Sequence, residues 1–156
     1  MKTLIYDNLL TEDECNFAID FYKNLEHEAE KFRDVYPLQI LENEMNNIKT
    51  KLSKISKEFN AQIDWIQIVK WPIGSYQNLH FDFDSDETTL SSITYLNDNF
   101  DGGRTYFEDG TTFIPKKGRG IFFDGQYYKH GVSKVENNIR YVVATWYKKL
   151  NTNERV

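Results

Sequence analysis

The sequence has one cysteine, Cys15, so no disulfide can close within the chain. That suits a reducing compartment. No apolar run approaches the roughly 20 residues needed to cross a bilayer. The opening MKTLIYDNLLTEDE turns acidic where a secretory leader would need an apolar core and a small-residue cleavage site. These absences predict a soluble, cytoplasmic protein with no membrane partner. Basic charge is also short: 19 Lys+Arg stand against 24 Asp+Glu, a net charge of −5. Neutralising nucleic-acid phosphates needs clustered cations, so a nucleic-acid partner is not expected. Histidine is scarce, with three in 156 residues. Aromatics are plentiful (11 Phe, 10 Tyr and 3 Trp), which excludes a wholly disordered chain. A chain of this length buries about 70% of its extended surface, enough for a core without staples.

The hydrophobic period changes near residue 60. Leu4-Ile5-Tyr6 reads as a short strand. Thr11 and Glu14 form a capping box that starts a helix to about Leu25, with Phe17, Phe21 and Leu25 recurring every four residues beside Cys15, Ala18 and Tyr22. Leu38, Leu41, Met45, Ile48, Leu52, Ile55 and Phe59 predict a second helix from about Pro37 to Phe59. From Ile63 the period is two. A strand through Val69 is followed by strand candidates at Leu79–Phe83, Thr88–Leu96, Thr105–Glu108, Thr111–Ile114, Gly120–Phe123, Tyr128–Val132 and Tyr141–Lys148. Asp101-Gly102-Gly103, Asp109-Gly110 and Asp124-Gly125 offer the positive φ of tight turns. No repeat or linker interrupts the chain, and the tail Asn151–Val156 is expected to fray. The reading is α+β, mostly β: a double-stranded β-helix, or jelly roll, buttressed by N-terminal helices. Residues 1–156 form a single domain, helical to about residue 60 with the jelly-roll core at about 62–148.

His27 lies among charges at a helix end and reads as a solvated surface residue. His80 and Asp82 are two apart on an expected strand and therefore share a face, with Phe81 aimed into an apolar layer on the other. His130 lies on a strand that a jelly roll can bring alongside. Two imidazoles and one carboxylate on one face of a metal make the facial triad of non-haem iron oxygenases. A structural zinc site would close with four protein ligands, and only three good ones are found. Arg140 opens an apolar strand. It is either a strand-end residue in solvent or on a surface acid, or a guanidinium aimed inward to grip a carboxylate through two hydrogen bonds.

Together, Tyr76-Gln77-Asn78-Leu79-His80-Phe81-Asp82, Ile93-Thr94-Tyr95-Leu96-Asn97, Gly102-Gly103-Arg104-Thr105-Tyr106-Phe107, His130-Gly131-Val132, and Arg140-Tyr141 with Thr145-Trp146-Tyr147 resemble the iron(II)- and 2-oxoglutarate-dependent dioxygenases, and within them the prolyl 4-hydroxylase branch. The resemblance spans about residues 62–148. It implies that His80, Asp82 and His130 hold iron(II) and that Arg140 holds the distal carboxylate of 2-oxoglutarate. It also places Thr94 and Tyr76 against the cosubstrate and Trp146 in the pocket. The implied cofactors are iron(II), 2-oxoglutarate and dioxygen, with ascorbate as an optional reductant. The implied reaction hydroxylates an unactivated C–H as 2-oxoglutarate is decarboxylated to succinate, most naturally on a prolyl residue of a peptide or protein. Residues read alone leave other accounts open: Thr94 as an ordinary β-branched strand residue, Tyr76 as a loop cap, Trp146 as core. Asp84 continues the His-x-Asp string, either as a spare ligand or as a solvated strand end, and the loop Asp84–Glu87 is short for a lid over a peptide. Tyr127 and Tyr128 are expected to be exposed and to line a groove for a proline-rich segment. A non-enzymatic jelly-roll metal- or ligand-binding module, a metal-dependent hydrolase, and an oxygenase acting on a free amino acid or other small molecule are the alternatives.

Overall fold

The computed structural model describes residues 3–82 and 88–150. The segment 83–87, which holds Asp84 and the expected short loop, and the expected frayed tail Asn151–Val156 lie outside the described residues. A six-stranded sheet has the order β1 (Thr3–Tyr6), β9 (Gly120–Phe123), β5 (Thr88–Tyr95), β12 (Arg140–Lys149), β3 (Ala61–Trp71), β2 (Tyr36–Gln39). A four-stranded sheet has the order β4 (Gln77–His80), β10 (His130–Val132), β7 (Thr105–Phe107), β8 (Thr112–Phe113). A small ladder joins β6 (Asp101–Gly102) to β11 (Val135–Glu136).

Side chains alternate across the large sheet, so each of its faces builds its own core. One face packs the helices α1 (Glu12–Leu25) and α2 (Asn46–Lys57): Cys15, Ala18, Tyr22, Ile48, Leu52 and Ile55 meet Ile68, Phe122, Val143 and Tyr147. The other face looks into the space between the two sheets, where Val69, Trp71, Tyr95, Phe107, Ile121, Phe123, Tyr128 and Val142 gather. A jelly roll with helices on one side is therefore present.

The capping box forms as expected: the Thr11 hydroxyl accepts from the Glu14 amide, and the Glu14 carboxylate accepts from the Thr11 amide. The buried stripe of α1, however, is Cys15, Ala18 and Tyr22, while Phe17 is 61% exposed. The second helix is shorter than expected. Tyr36–Gln39 is a strand antiparallel to β3, and the Ile40 amide still reaches the Ile66 carbonyl. Pro37 is tolerated there because β2 is an edge strand, where a missing amide hydrogen costs no ladder bond on the solvent side. A turn at Leu41–Glu44 and a left-handed Met45 then separate strand from helix. Both N-terminal strands, β1 and β2, are edges of the large sheet, so the first 60 residues supply sheet as well as helix. His27 sits exposed in a single 3-10 turn, Glu26–Glu28.

Truncating Phe17 to alanine should change stability by less than about 0.5 kcal/mol, as for most surface changes. Truncating Leu52, which is fully buried, should cost about 2–5 kcal/mol. Urea unfolding of both variants checks this; a large loss for Phe17 would restore the stripe expected from spacing alone.

Candidate active site

The strands β4 and β10 run antiparallel with His80 directly opposite His130, and their ring centroids are 4.3 Å apart. The ladder is bulged just beyond this pair, a distortion that re-aims side chains at sheet edges and functional sites. The strand ends at His80, so Asp82 is not on it as expected. Its amide instead donates to the Gly125 carbonyl at 2.7 Å, which holds the carboxylate on the histidine side. Asp82 Oδ1 lies 3.2 Å from His130 Nε2 and 3.6 Å from His80 Nε2. One donor atom from each residue fits within 4.8 Å of the others, the grouping a metal ion requires. Phe81 is half-buried with the Lys129 ammonium 5.3 Å from its ring centre, rather than sunk in an apolar layer.

The orientation of each group is fixed by a second contact. His80 Nδ1 is 2.9 Å from the Asn78 carbonyl, and His130 Nδ1 is 3.1 Å from the Tyr128 carbonyl. A carbonyl only accepts, so Nδ1 carries the hydrogen in the neutral rings and leaves the Nε2 lone pair for a metal; in the protonated rings Nε2 carries a hydrogen as well and donates it to Asp82. Ser91 donates to Asp82 Oδ2 at 2.7 Å and leaves Oδ1 toward the imidazoles. Burial alone would raise the Asp82 pKa. Hydrogen bonds from His130, His80 and Ser91 outweigh it and hold the carboxyl well below the usual carboxylate range. Burial likewise opposes charge on His80, but Asp82 and the Asn78 carbonyl favour it more, so its pKa is raised. Gly125 does not take the positive φ expected of it, although Gly102, Gly103 and Gly110 do. It is required for room: a Cβ there would lie 2.3 Å from both Asp82 Oδ2 and Ser91 Oγ.

Burial excludes the strand-end, solvent-exposed alternative for Arg140. It has no exposed surface, and no carboxylate pairs with it among the described residues. Its guanidinium lies over the rings of Trp71 and Tyr95, 4.8 and 5.3 Å from their centroids. Nε donates to the Gly103 carbonyl at 2.9 Å and Nη2 to the Thr105 hydroxyl at 3.4 Å; Nη1 has no partner. The indole N–H groups of Trp71 and Trp146 are also buried without partners. Trp71 faces Arg140 across the ladder, and Trp146 shares the Arg140 face of β12 at an even spacing. Thr105 and Phe107 share a face of β7, and Phe107 pairs with His130. Arg140 is thus placed about two residue steps, roughly 7 Å, along the barrel from the level of the histidines.

Thr94 is not brought to this space. On β5, Ser91 reaches Asp82 and Tyr95 reaches Arg140, so the parity turns Thr94 toward the helices with Leu90 and Leu96. It is fully buried beside Gly120, with its hydroxyl unpartnered. Its neighbour Tyr95 takes the inward position, exchanging a 2.6 Å hydrogen bond with Thr105. Tyr76 is 56% exposed just before β4. Tyr128 is buried and stacked on Phe107 at 4.5 Å, so it lines no outer groove; Tyr127 is exposed as expected. Sequence reading missed Tyr95, Thr105, Trp71 and Ser91. Strand parity counted from Leu90 and Leu96 would have found Tyr95 and Ser91. A wide surface groove of about 710 Å³ between α2 and β3 contains none of these residues; donor chemistry, not volume, marks the site.

Residues 66–148 match the profile of the 2OG-Fe(II) oxygenase superfamily. Comparison with curated proteins gives no match. Among solved structures, a viral collagen prolyl hydroxylase from Paramecium Bursaria Chlorella virus-1, in a 2OG complex, superposes with a TM-score of 0.79 at 22% identity, covering 97% of each chain. A Pseudomonas putida prolyl-4-hydroxylase gives 0.76 at 16% identity over 96% of this chain and 93% of the other. A Trichoplax adhaerens prolyl hydroxylase, in complex with a hypoxia inducible factor oxygen degradation domain peptide fragment, gives 0.75 at 18% identity over 94% and 83%. These likenesses establish the shared jelly roll, and the profile match covers more than half of the sequence. The chain belongs to the 2OG-Fe(II) oxygenase superfamily, enzymes that use iron(II), 2-oxoglutarate and dioxygen.

Proposed function

We propose that this oxygenase hydroxylates an unactivated C–H of a prolyl residue in a peptide or protein, with His80, Asp82 and His130 as its iron ligands and Arg140 as the anchor of 2-oxoglutarate. The observation that carries the reading is a pair of complementary donor groups in one inter-sheet space. Three metal donors converge at one level, and an unpaired buried guanidinium N–H lies about two residue steps deeper. Two imidazoles and a carboxylate suit iron(II) and leave positions open. A metal hydrolase would give Arg140 no work.

When bound, iron(II) with 2-oxoglutarate and dioxygen supplies the oxidant, and the keto acid leaves as succinate and carbon dioxide. The remaining tasks belong to the chain. Arg140 grips the distal carboxylate, with the Thr105–Tyr95 hydroxyl pair beside it and the Trp71 N–H opposite on the ladder. A carboxylate there gains charge-assisted hydrogen bonds and removes the orphaned donors at once. Ser91 and Gly125 hold Asp82 in one rotamer; the Asn78 and Tyr128 carbonyls hold the two imidazoles. Phe107, Phe123 and Tyr128 wall the site against water. The prolyl substrate is supported by the prolyl hydroxylases that share the fold. Exposed Tyr127, three residues before His130, is an aromatic surface on which proline could pack.

Anaerobic iron(II) with 2-oxoglutarate should give a weak visible charge-transfer band, absent in His130→Ala, which should still unfold cooperatively but form no succinate. Arg140→Met should raise the 2-oxoglutarate needed for half-saturation by about 10–100-fold, the worth of a charged hydrogen-bonded pair. A normal band in His130→Ala, or an unchanged requirement in Arg140→Met, would remove these assignments. Mass spectrometry of proline peptides after incubation tests the substrate: one added oxygen is expected, and succinate without it sinks the prolyl reading.

Metal must displace a proton from any protonated imidazole. Because the His80 pKa is raised, competition should begin above the ordinary imidazole range near 6.5. Apparent iron(II) affinity should be flat at higher pH and fall by about tenfold per pH unit below the imidazole pKa. Equilibrium dialysis across pH 5–8 measures it; affinity that rises on acidification would contradict the ligand set.

A further inference from the structure

Asn97 stands where the ladder beside Arg140 runs out. The pairing of β5 with β12 ends at Tyr95 opposite Val142, and one more backbone bond, from the Leu96 amide to the Tyr141 carbonyl, follows at 2.9 Å. Among the described residues, Arg140 therefore has a strand partner on one side only, Trp71 of β3. On the other side the Asn97 side chain takes over. Its Oδ1 accepts from the Tyr141 amide at 2.8 Å, and its Nδ2 donates to the Ile139 carbonyl at 2.8 Å. One primary amide thus bridges the two backbone groups that flank Arg140, much as a neighbouring strand would. The second Nδ2 hydrogen goes to Asn99 Oδ1 at 2.7 Å, so both amide hydrogens are engaged.

The same segment returns to the other end of the arginine. Gly103, with φ at 57°, presents its carbonyl to Arg140 Nε at 2.9 Å, and its own amide donates to the Lys134 carbonyl at 3.1 Å. A Cβ on Gly103 would lie 2.8 Å from the Phe100 ring and 3.0 Å from Arg140 Cδ, so the fit is close. Residues 97–103 thus hold the arginine at its backbone and at its head. A long side chain loses rotamer freedom when it grips a ligand, and fixing it beforehand lowers that cost. The backbone of Arg140 needs such fixing, because it opens β12 directly after a turn with a left-handed Asn137, and strand ends fray unless tied down. Resting on the reading of Arg140 as the anchor of 2-oxoglutarate, we propose that Asn97 is a positioning residue for that anchor. Its amide locks the backbone on both sides of Arg140 and so aims the guanidinium at the distal carboxylate.

The test is a double-mutant cycle read on binding. Protein holding iron(II) is titrated with 2-oxoglutarate under nitrogen and followed by the visible band. Asn97→Ala should raise the half-saturating concentration about tenfold, the worth of two lost hydrogen bonds. It should still reach the parent's band at saturation, because the metal donors are untouched. In the Arg140→Met background the same substitution should change nothing further, since the group it positions is gone. Asn99→Ala removes the amide's third partner, which does not touch the arginine's backbone, and should leave the requirement at the parent's. If Asn97→Ala does not fold, Asn97→Asp, which keeps the acceptor for Tyr141 and loses the donor to Ile139, is taken through the same cycle. A merely structural role would lower the unfolding midpoint of Asn97→Ala at an unchanged half-saturation, or add the same factor in both backgrounds. Either result, or a failure of both Asn97 variants to fold, overturns the proposal and leaves Arg140 as the anchor. An unchanged requirement in Arg140→Met, or no band in the parent, removes the anchor reading and the proposal with it.

Discussion

A permanent positive charge at Arg140 sits where no water reaches it, and the rest of the site is arranged around that fact. Guanidinium does not lose its proton in a protein, so the chain cannot escape the cost of burial by neutralising the group. Burial pulls the pKa of this arginine down, and Tyr95 works against that shift. Two aromatic faces, a backbone carbonyl and a hydroxyl give partial compensation. What they leave uncompensated is directional: one N–H with nothing to meet. On the proposed reading of the site, the distal carboxylate of 2-oxoglutarate would meet that N–H and offset the cost of burying it.

At the other end of the same space the sign is reversed. Asp82 stays ionised because two imidazoles and a serine point at it, and its charge is directed at the position a cation would take. The two ends are held by different strands of different sheets. Arg140 comes from β12 and the histidines from β4 and β10. The spacing between Arg140 and the three metal-donor side chains is therefore set by sheet-on-sheet packing. The stacked rings of Phe107 and Tyr128, and the edge contact of Phe107 with Phe123, hold that packing.

Much of this was legible from residues alone, and the failures have local causes. The capping box at Thr11 forms because both of its hydrogen bonds are made within one turn. Most of the later strands were legible because two-residue alternation and Asp-Gly turns agree. Tyr36–Gln39 was misread because its apolar spacing suits a helix, and only pairing with β3 decides otherwise. Thr94 was misplaced by one residue, which in a strand is the whole difference between two faces. Gly125 looked like a turn glycine because Asp-Gly usually is one, yet its role is to admit a carboxylate from a distant segment. The burial of Arg140 was one of two even alternatives, since a charged residue at a strand end gives no sign of which way it turns.

The placement of β1 and β2 at opposite edges of the large sheet links the beginning of the chain to its end. The central strand β12 is nearly the last piece of described sequence, yet it is hydrogen-bonded to β3 and β5; β2 flanks β3, and β9, itself edged by β1, flanks β5. During synthesis the opening segments must wait for the closing ones before the sheet can assemble. Assembly is thus dominated by contacts distant in sequence, the kind that fold slowly. β2 and β1 cover the outer edges of β3 and β9, so the opening forty residues also shield the sheet from pairing with another chain.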